Sequence, residues 1–285
     1  MPPNHAHFYL QVERIVSVPG KDSTDVLKVD REGNTLWLTL NRPDAHNSIT
    51  PGLISSISSA LDLVDADRTI RAVAFSGSGR AFCTGGDLKA ILIESQHDDA
   101  TVALRKFLED VRVVYDRIER LRVPTIAAVN GLTLAGGLEL MMCCDMALAD
   151  ENAKFGDGHA KFAQIPGAGA SVRMPRRIGL SRAKYLMYTG DLLSPQRALE
   201  WGLVDEIVPA GQLRTRVDNL FAKIVDKSPL VLERMKGLLQ DGLELGQDGA
   251  LRGEIMLSEW HSQSFDRNEG IAAFVEKRPP VYRGQ

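Results

Sequence analysis

Two glycine-rich turns are the segments of this sequence best suited to bind a developing negative charge. The first is Cys83-Thr84-Gly85-Gly86-Asp87, and the second leads through Ala135 into Gly136-Gly137. Each follows a short apolar segment and precedes a helix-like one. Glycine lets backbone N–H groups approach a ligand closely, and a helix N-terminus adds unpaired N–H groups and partial positive charge. Together the turns could direct two donors at one oxygen, which is the arrangement of an oxyanion hole.

Such turns also occur for purely structural reasons, and each one alone is weak evidence for a site. The dinucleotide-binding pattern Gly-x-Gly-x-x-Gly is absent from both turns in the sequence, so we reject that class of site.

Glu139 is the candidate acid/base group nearest to these turns. It lies three residues after Gly136, among apolar neighbours in a helix-like segment. Burial of an isolated carboxylate is costly and should raise its pKa, whereas a nearby helix N-terminus should lower it. The alternative is a glutamate on the exposed face of a helix.

A second candidate follows the pair Phe155-Gly156. His159 can exchange protons near neutral pH, and Asp157 lies two residues before it. The alternative interpretation of His159 is a solvated histidine in a loop.

The elements that must position these residues alternate between strands and helices, which predicts an α/β fold with parallel strands. After about residue 181 the pattern becomes mostly helical. We therefore predict an N-terminal extension over residues 1–24, an α/β core over 25–200 and a helical C-terminal region over 201–285. The predicted strands are Thr35–Leu40, Ala72–Phe75, Thr125–Val129 and Met146–Ala149. The predicted helices begin at Pro51, 102, Gly136, Pro195, Leu213 and Pro229, with two more between 247 and 275.

Composition excludes several classes of protein. The 285 residues carry a net charge of -3 and no long basic stripe, which gives no basis for nucleic-acid binding. Three cysteines, two of them adjacent, form neither a disulfide framework nor a zinc site, so we expect a reducing cytoplasm and no metal. The N-terminus lacks the apolar run of a secretory signal, and no apolar run is long enough to predict a membrane span.

From about Val26 to Arg283 the sequence resembles the enoyl-CoA hydratase/isomerase (crotonase) superfamily. The two glycine turns in this order are the best markers. Further markers are Phe155-Gly156, Ile165-Pro166-Gly167-Ala168-Gly169, Leu186-Met187-Tyr188-Thr189-Gly190, Trp201-Gly202-Leu203-Val204-Asp205 and Phe274-Val275-Glu276-Lys277-Arg278.

The resemblance implies a crotonase-like spiral of ββα repeats, forming two roughly perpendicular sheets ringed by helices. It also implies homotrimers or homohexamers joined through the C-terminal helices. No cofactor is expected, because coenzyme A enters as part of an acyl-CoA substrate.

The resemblance further implies roles for individual residues. The N–H groups of Gly86 and Gly136 would form the oxyanion hole for a thioester enolate. Glu139 matches one of the two glutamates that act as acid and base in enoyl-CoA hydratases, and His159 stands at the position of the other. Substrate or coenzyme A binding is implied for Arg42, His46, Cys83, Gly85, Asp87, Lys89, Phe274 and Lys277.

Three functions follow from these residues. The first is a hydratase that uses Glu139. The second is an isomerase, another lyase or an acyl-CoA hydrolase in which His159 or Asp157 shares the proton transfers. The third is a non-catalytic acyl-CoA-binding protein. The missing second glutamate disfavours a standard hydratase, and Glu139 disfavours the third function.

Overall fold

A computed structural model describes residues 26–87 and 99–285, and the predicted extension over residues 1–24 lies outside them. Elements are numbered in chain order within the described residues. The strands are β1 Leu27–Glu32, β2 Thr35–Leu40, β3 Ala72–Gly77, β4 Ala81–Cys83, β5 Thr125–Val129, β6 Leu132–Leu134, β7 Met146–Asp150, β8 Lys154–Gly156 and β9 Glu206–Val208. The helices are α1 Pro51–Ala66, α2 Ala100–Glu119, α3 Gly136–Cys143, α4 Ala170–Ile178, α5 Leu180–Thr189, α6 Pro195–Trp201, α7 Leu213–Ile224, α8 Pro229–Glu244, α9 Gln247–His261 and α10 Phe265–Glu276.

The larger of the two sheets has the strand order β1-β2-β3-β5-β7-β9. Strands β1 and β2 form an antiparallel hairpin, and the other neighbours in this sheet pair in parallel. The central strands are buried along most of their length, as expected when helices cover both faces of a parallel sheet.

The smaller sheet has the order β4-β6-β8, and its strands also pair in parallel. Each of its strands follows directly after a strand of the larger sheet, so one repeat of the chain supplies one strand to each sheet. The tight turn after β5 needs Gly131, because a Cβ there would lie 2.1 Å from the carbonyl oxygen of Arg80. This repetition brings the ends of β4, β6 and β8 together.

Helix α1 illustrates how local sequence sets an element. Thr50 accepts a hydrogen bond from the backbone N–H of Leu53 at 3.2 Å, and Pro51 occupies the first helical position. The apolar residues of α1 lie at helical spacing and pack in the main hydrophobic core. Residues from α2, α3 and one face of the large sheet pack in the same core. On the opposite face, α7 packs Val217 and Phe221 against Trp37.

The structure confirms the predicted fold class and the predicted strands and helices. It also adds a strand to the segment expected to be helical, since β9 pairs with β7 at the edge of the large sheet. Helices α8 to α10 carry several exposed apolar side chains, among them Leu239, Met256, Trp260 and Phe274. Within the described residues, no helix is long and apolar enough to cross a membrane.

Candidate active site

The first glycine turn begins where β4 ends. The N–H of Ile49 donates to the carbonyl of Gly85 at 2.8 Å, and the N–H of Asp87 donates to the carbonyl of Ile49 at 3.3 Å. These two bonds form a parallel bridge between Ile49 and Gly86. Because the bridge uses the residues on either side of Gly86, the N–H of Gly86 itself points away from Ile49. Gly86 lines the cleft described below.

The second glycine turn lies beside the first, because β6 is the neighbour of β4. Ala135, with φ of 45°, links β6 to α3, and Gly136 is the first residue of that helix. The N–H of a first helical residue has no acceptor within its own helix. Gly85 allows the two turns to touch: its φ is 87°, and a Cβ there would lie 2.9 Å from the nitrogen of Gly136. The two predicted N–H donors are therefore brought to one wall of the cleft.

Glu139 lies in the first turn of α3 and is only 2% exposed, so the alternative of a surface glutamate is wrong. Its Oε1 accepts backbone hydrogen bonds from Ala168 at 3.1 Å and Ala170 at 2.8 Å. Its Oε2 faces Gly136 and lies 3.7 Å from the position that a Cβ on that glycine would occupy. Burial raises the pKa of Glu139, although the two backbone bonds and the charge of His159 act in the opposite direction.

Asp157 and His159 form a hydrogen-bonded pair at the end of β8. The ring Nδ1 of His159 lies 3.0 Å from Oδ1 of Asp157, and the backbone N–H of His159 donates to Oδ2 at 3.2 Å. Asp157 is 1% exposed and the histidine side chain 13%, which rules out a solvated loop histidine. Burial lowers the pKa of His159, but the hydrogen bond and charge of Asp157, together with Glu139, outweigh it, and the pKa is raised.

A single cleft of about 170 Å³ joins Gly86, Gly136, Glu139 and His159. Its remaining walls are mainly apolar, and two of the apolar residues at its mouth, Phe162 and Ile165, are 60% and 86% exposed. Exposed apolar side chains gathered around one concave site are typical of a groove that binds an apolar ligand. Further apolar lining residues are Ile49, Leu104, Phe107, Leu108, Val111 and Leu134.

Other residues predicted for binding form the rim of the first turn. Arg42 makes an ion pair with Asp87 at 3.2 Å and donates to the backbone oxygen of Ser48 at 2.7 Å. The carbonyl of His46 accepts a hydrogen bond from the hydroxyl of Thr84 at 3.4 Å. These contacts tie the loop after β2 to the first glycine turn.

Three of the predicted binding residues lie away from the cleft. Cys83 is fully buried beneath the first turn, where burial raises the pKa of its thiol to about 12. Phe274 is 84% exposed at the end of α10, and Lys277 follows that helix; neither lines the cleft of its own chain. Lys89 lies outside the described residues.

Sequence reasoning missed two residues that support the site. The hydroxyl of Tyr115, on α2, is buried and donates to the carbonyl of Gly136 at 2.9 Å. Arg173, on α4, donates to the carbonyl of Ala168 at 2.9 Å. Tyr115 has the sequence context of an ordinary core residue in an amphipathic helix, which carries no functional signal. In the part of the chain that the structure covers, no group of three His, Cys, Asp or Glu side chains is arranged to hold a metal ion.

Comparison with known proteins identifies the family of the chain. The sequence profile of the enoyl-CoA hydratase/isomerase family matches residues 30–285. The chain belongs to that family. The family assignment confirms the predicted resemblance, and the protein is accordingly an acyl-CoA enzyme of the crotonase superfamily.

Individual relatives of this family member cover nearly the whole chain. A probable mitochondrial enoyl-CoA hydratase of Dictyostelium discoideum is 34% identical over 256 residues, which span 90% of each chain. A 2,3-dehydroadipyl-CoA hydratase of Escherichia coli is 33% identical over 91% of this chain and 99% of its own length. The crystal structure of an enoyl-CoA hydratase from Bacillus anthracis superimposes with a TM-score of 0.85 at 34% identity, covering 91% of this chain and 100% of that one.

Proposed function

We propose that this enzyme adds water across the double bond of a 2-enoyl-CoA thioester. The observation that carries the proposal is the placement of two proton-transfer groups, Glu139 and His159, in one cleft with Gly86 and Gly136. The same set of residues contains donors for a thioester oxygen and a separate group for each of the two protons that move during hydration.

The backbone donors would stabilise the intermediate. When water attacks Cβ of the enoyl group, the electrons of the double bond move onto the thioester carbonyl oxygen. The N–H groups of Gly86 and Gly136 would bind that oxygen, and one such donor typically contributes ~3 kcal/mol of transition-state stabilisation. Because they are backbone groups held by two touching turns, they need no reorganisation during the reaction.

Proton transfers are assigned from the environments of the two side chains. Glu139 in its ionised form takes a proton from the attacking water as the oxygen–carbon bond forms at Cβ. Protonated His159 then gives its proton to Cα as the enolate collapses. The product thus carries the hydroxyl group on Cβ and the new hydrogen on Cα. The raised pKa of Glu139 makes it a stronger base, and Asp157 stabilises the imidazolium through Nδ1, which leaves Nε2 as the donor.

The acyl group that fits this cleft is a hydrocarbon chain. Apart from Glu139 and His159, the residues lining the cleft within the described chain carry no formal charge. Among the described lining residues, only His159 could offer a positive charge to a second carboxylate at the end of the acyl chain, and its ring already pairs with Asp157. We expect 2-enoyl-CoA substrates with apolar tails to react faster than 2,3-dehydroadipyl-CoA, the compound in the name of the Escherichia coli relative.

An isomerase is the second candidate, and the Asp157–His159 pair is the observation that favours it. A histidine held by a buried carboxylate can move a proton between two carbons without adding water. An acyl-CoA hydrolase would instead direct the activated water at the thioester carbon. The family assignment argues against the third function, a protein that only binds acyl-CoA.

We also propose that the protein forms homo-oligomers in a reducing compartment. The exposed apolar side chains of α8 to α10 favour a homotrimer or homohexamer, in which Phe274 and Lys277 would reach the coenzyme A of a neighbouring subunit. Light scattering at micromolar concentration would test this, and a mass near 31.3 kDa would contradict it. Three buried free cysteines are consistent with a reducing compartment such as the cytoplasm.

The reaction is tested with a panel of 2-enoyl-CoA and 3-enoyl-CoA thioesters in H₂¹⁸O, using mass spectrometry and a thiol reagent. Hydration predicts a 3-hydroxyacyl-CoA that carries ¹⁸O at C3 and no free coenzyme A. Interconversion of the 2-enoyl and 3-enoyl compounds without ¹⁸O would identify an isomerase, and free thiol would identify a hydrolase. Calorimetric binding of an acyl-CoA without any turnover would leave only the binding protein.

A further inference from the structure

The turn that cradles Glu139 runs from Gly167 to Ala170, where α4 begins. The N–H groups of Ala168 and Ala170 both donate to Oε1 of Glu139. Between them, Gly169 has φ of 113°, a conformation that residues with side chains rarely adopt. The carboxylate of Glu139 thus depends for its orientation on two peptide groups in a short turn.

Arg173 contacts the opposite side of this turn. Its Nη1 donates to the carbonyl oxygen of Ala168 at 2.9 Å, and a Cβ on Gly169 would lie 2.0 Å from the same nitrogen. The guanidinium therefore fixes the peptide between Ala168 and Gly169, which lies between the two peptides that bind Glu139. The turn is clamped between a carboxylate on one side and a guanidinium on the other.

Two carboxylates of α2 hold the guanidinium in place. Nε and Nη2 of Arg173 donate to Oε2 of Glu119 at 3.0 and 2.7 Å, and Nη2 also lies 3.0 Å from Oδ1 of Asp116. The planar guanidinium presents its donors in a fixed geometry, and the arginine side chain is only 14% exposed. A lysine could satisfy one of these acceptors but not all of them.

We propose that Arg173 is a positioning residue, which holds the Gly167–Ala170 turn so that its N–H groups orient Glu139 toward the cleft. The proposal rests on the proposed function in that Glu139 carries a proton transfer. Without Arg173 the turn can rotate, and Glu139 loses part of its support from Ala168 and Ala170. Since those bonds favour the ionised carboxylate, their loss would raise the pKa of Glu139 further. Within the described residues, the other titratable groups that interact with Glu139 are Asp157 and His159 beside the cleft, Cys83 beneath the first turn, Tyr115 on α2 and Cys143 on α3.

The test compares Arg173→Met with a matched control, Arg117→Met. Arg117 is also a partly buried arginine that binds two carboxylates, Asp62 and Asp65, and a backbone carbonyl, that of Ser58. It lies on the same helix as Glu119 but does not contact the Gly167–Ala170 turn. Both substitutions should lower the unfolding temperature. If Arg173 only stabilised the fold, the two variants would show similar pH profiles and similar titration of Glu139.

Two readouts separate positioning from stability. The first is the acid limb of the pH profile of kcat, which should move to higher pH by about one pH unit in Arg173→Met. In the same variant, turnover at the optimal pH should fall about tenfold, and KM should change little. The second is a ¹³C NMR titration of labelled glutamate carboxyls, with Glu139→Gln used to assign the signal. Because the NMR titration needs no turnover, it tests Arg173 even if the enzyme proves not to be a hydratase.

We expect both readouts to move in Arg173→Met, to move less in Arg173→Lys, and to stay at the wild-type values in Arg117→Met. If Arg173→Met does not fold, Glu119→Gln should produce a smaller shift in the same direction, because it removes one of the anchors of the guanidinium. The proposal is overturned if the folded variants titrate Glu139 at the wild-type pKa, or if Arg117→Met shifts it equally.

Discussion

Glu139 and His159 face the same cleft, yet their surroundings raise their pKa values for opposite reasons. Burial in apolar surroundings disfavours the charged form of Glu139 and raises its pKa, and the backbone N–H groups that bind the carboxylate offset only part of this effect. The ring of His159 is held by the buried carboxylate of Asp157, so its charged form is favoured. One side of the cleft thus strengthens a base and the other stabilises an acid. A buried glutamate and a histidine–aspartate pair thus give one cleft two titratable groups with opposite electrostatics.

The largest expected effect comes from removing the base. Glu139→Gln should lower turnover by at least about a hundredfold, since general acid/base groups contribute roughly 10²–10⁴-fold. Acyl-CoA affinity, measured by calorimetry, should change little, because the proposed oxyanion donors, Gly86 and Gly136, act through backbone groups. Glu109→Gln, an exposed change on α2, is the control. Wild-type turnover in Glu139→Gln on the best substrate would show that the chemistry lies elsewhere in the cleft.

Replacement of the acid should be the next largest effect. We expect His159→Gln to lower turnover about tenfold to a hundredfold, because a neutral amide cannot deliver a proton to Cα. His159→Glu should retain more activity, since a carboxyl group can serve as an acid at this position. His261→Gln, on α9, controls for the loss of a histidine. If His159→Gln has a negligible effect, Glu139 works alone or with Asp157.

Asp157→Asn should have a smaller effect with a characteristic pH dependence. Loss of the negative charge of Asp157 removes the larger of the two influences that raise the pKa of His159, the other being Glu139, so the ring would stay protonated only to lower pH. The alkaline limb of the kcat profile should therefore move to lower pH, with turnover at the optimum reduced about tenfold. Asp110→Asn, an exposed change on α2, provides the control. If the alkaline limb stays at the wild-type pH, the titration of His159 does not cause that limb.

The smallest expected effect is on stability. Both groups have folded pKa values above their ordinary values of 4.5 and 6.5, so the folded state binds more protons than the unfolded state. Their contributions to the free energy of unfolding should therefore fall as pH rises, from about pH 4.5 upward for Glu139 and from about 6.5 upward for His159. A pKa that differs by one between the folded and unfolded states corresponds to about 1.4 kcal/mol. Urea titrations of Glu139→Gln and His159→Gln should each lose this dependence in its own window. A slope that persists unchanged in both variants would contradict the assignment.

The sequence predicted the parts of this molecule that depend on local pattern. The strand Thr35–Leu40 and the start of α1 at Pro51 follow from alternation and from capping chemistry. The turns that contain Gly86 and Gly136 could be proposed because two adjacent glycines follow an apolar strand in each of them, and Glu139 because it lies in the first turn of the helix that begins at the second pair. The short strands β4, β6 and β8 could not be predicted, because three residues are too few to show a period.

Roles that depend on long-range packing were also out of reach. Arg173 stands in a segment with two more arginines, Arg176 and Arg177, and this composition is typical of an exposed helix face. Its contacts with Glu119 and Ala168 arise only when α2, α4 and the turn before α4 come together. Similarly, nothing near Tyr115 in the sequence indicates that its hydroxyl reaches Gly136.

The burial of Cys83 beneath the first glycine turn makes it a reporter of breathing motions in the active site. A thiolate attacks an alkylating reagent, and the thiol of Cys83 has a pKa of about 12 and no exposed surface. It is therefore both protonated and inaccessible while the turn is closed. Alkylation of Cys83 must then proceed through transient opening of the turn, and its rate measures how often the turn opens. Cys143 and Cys144, which are also buried and lie at the far end of α3, give an internal comparison in the same labelling experiment. A bound acyl-CoA that closes the turn should slow the labelling of Cys83 more than that of the other two.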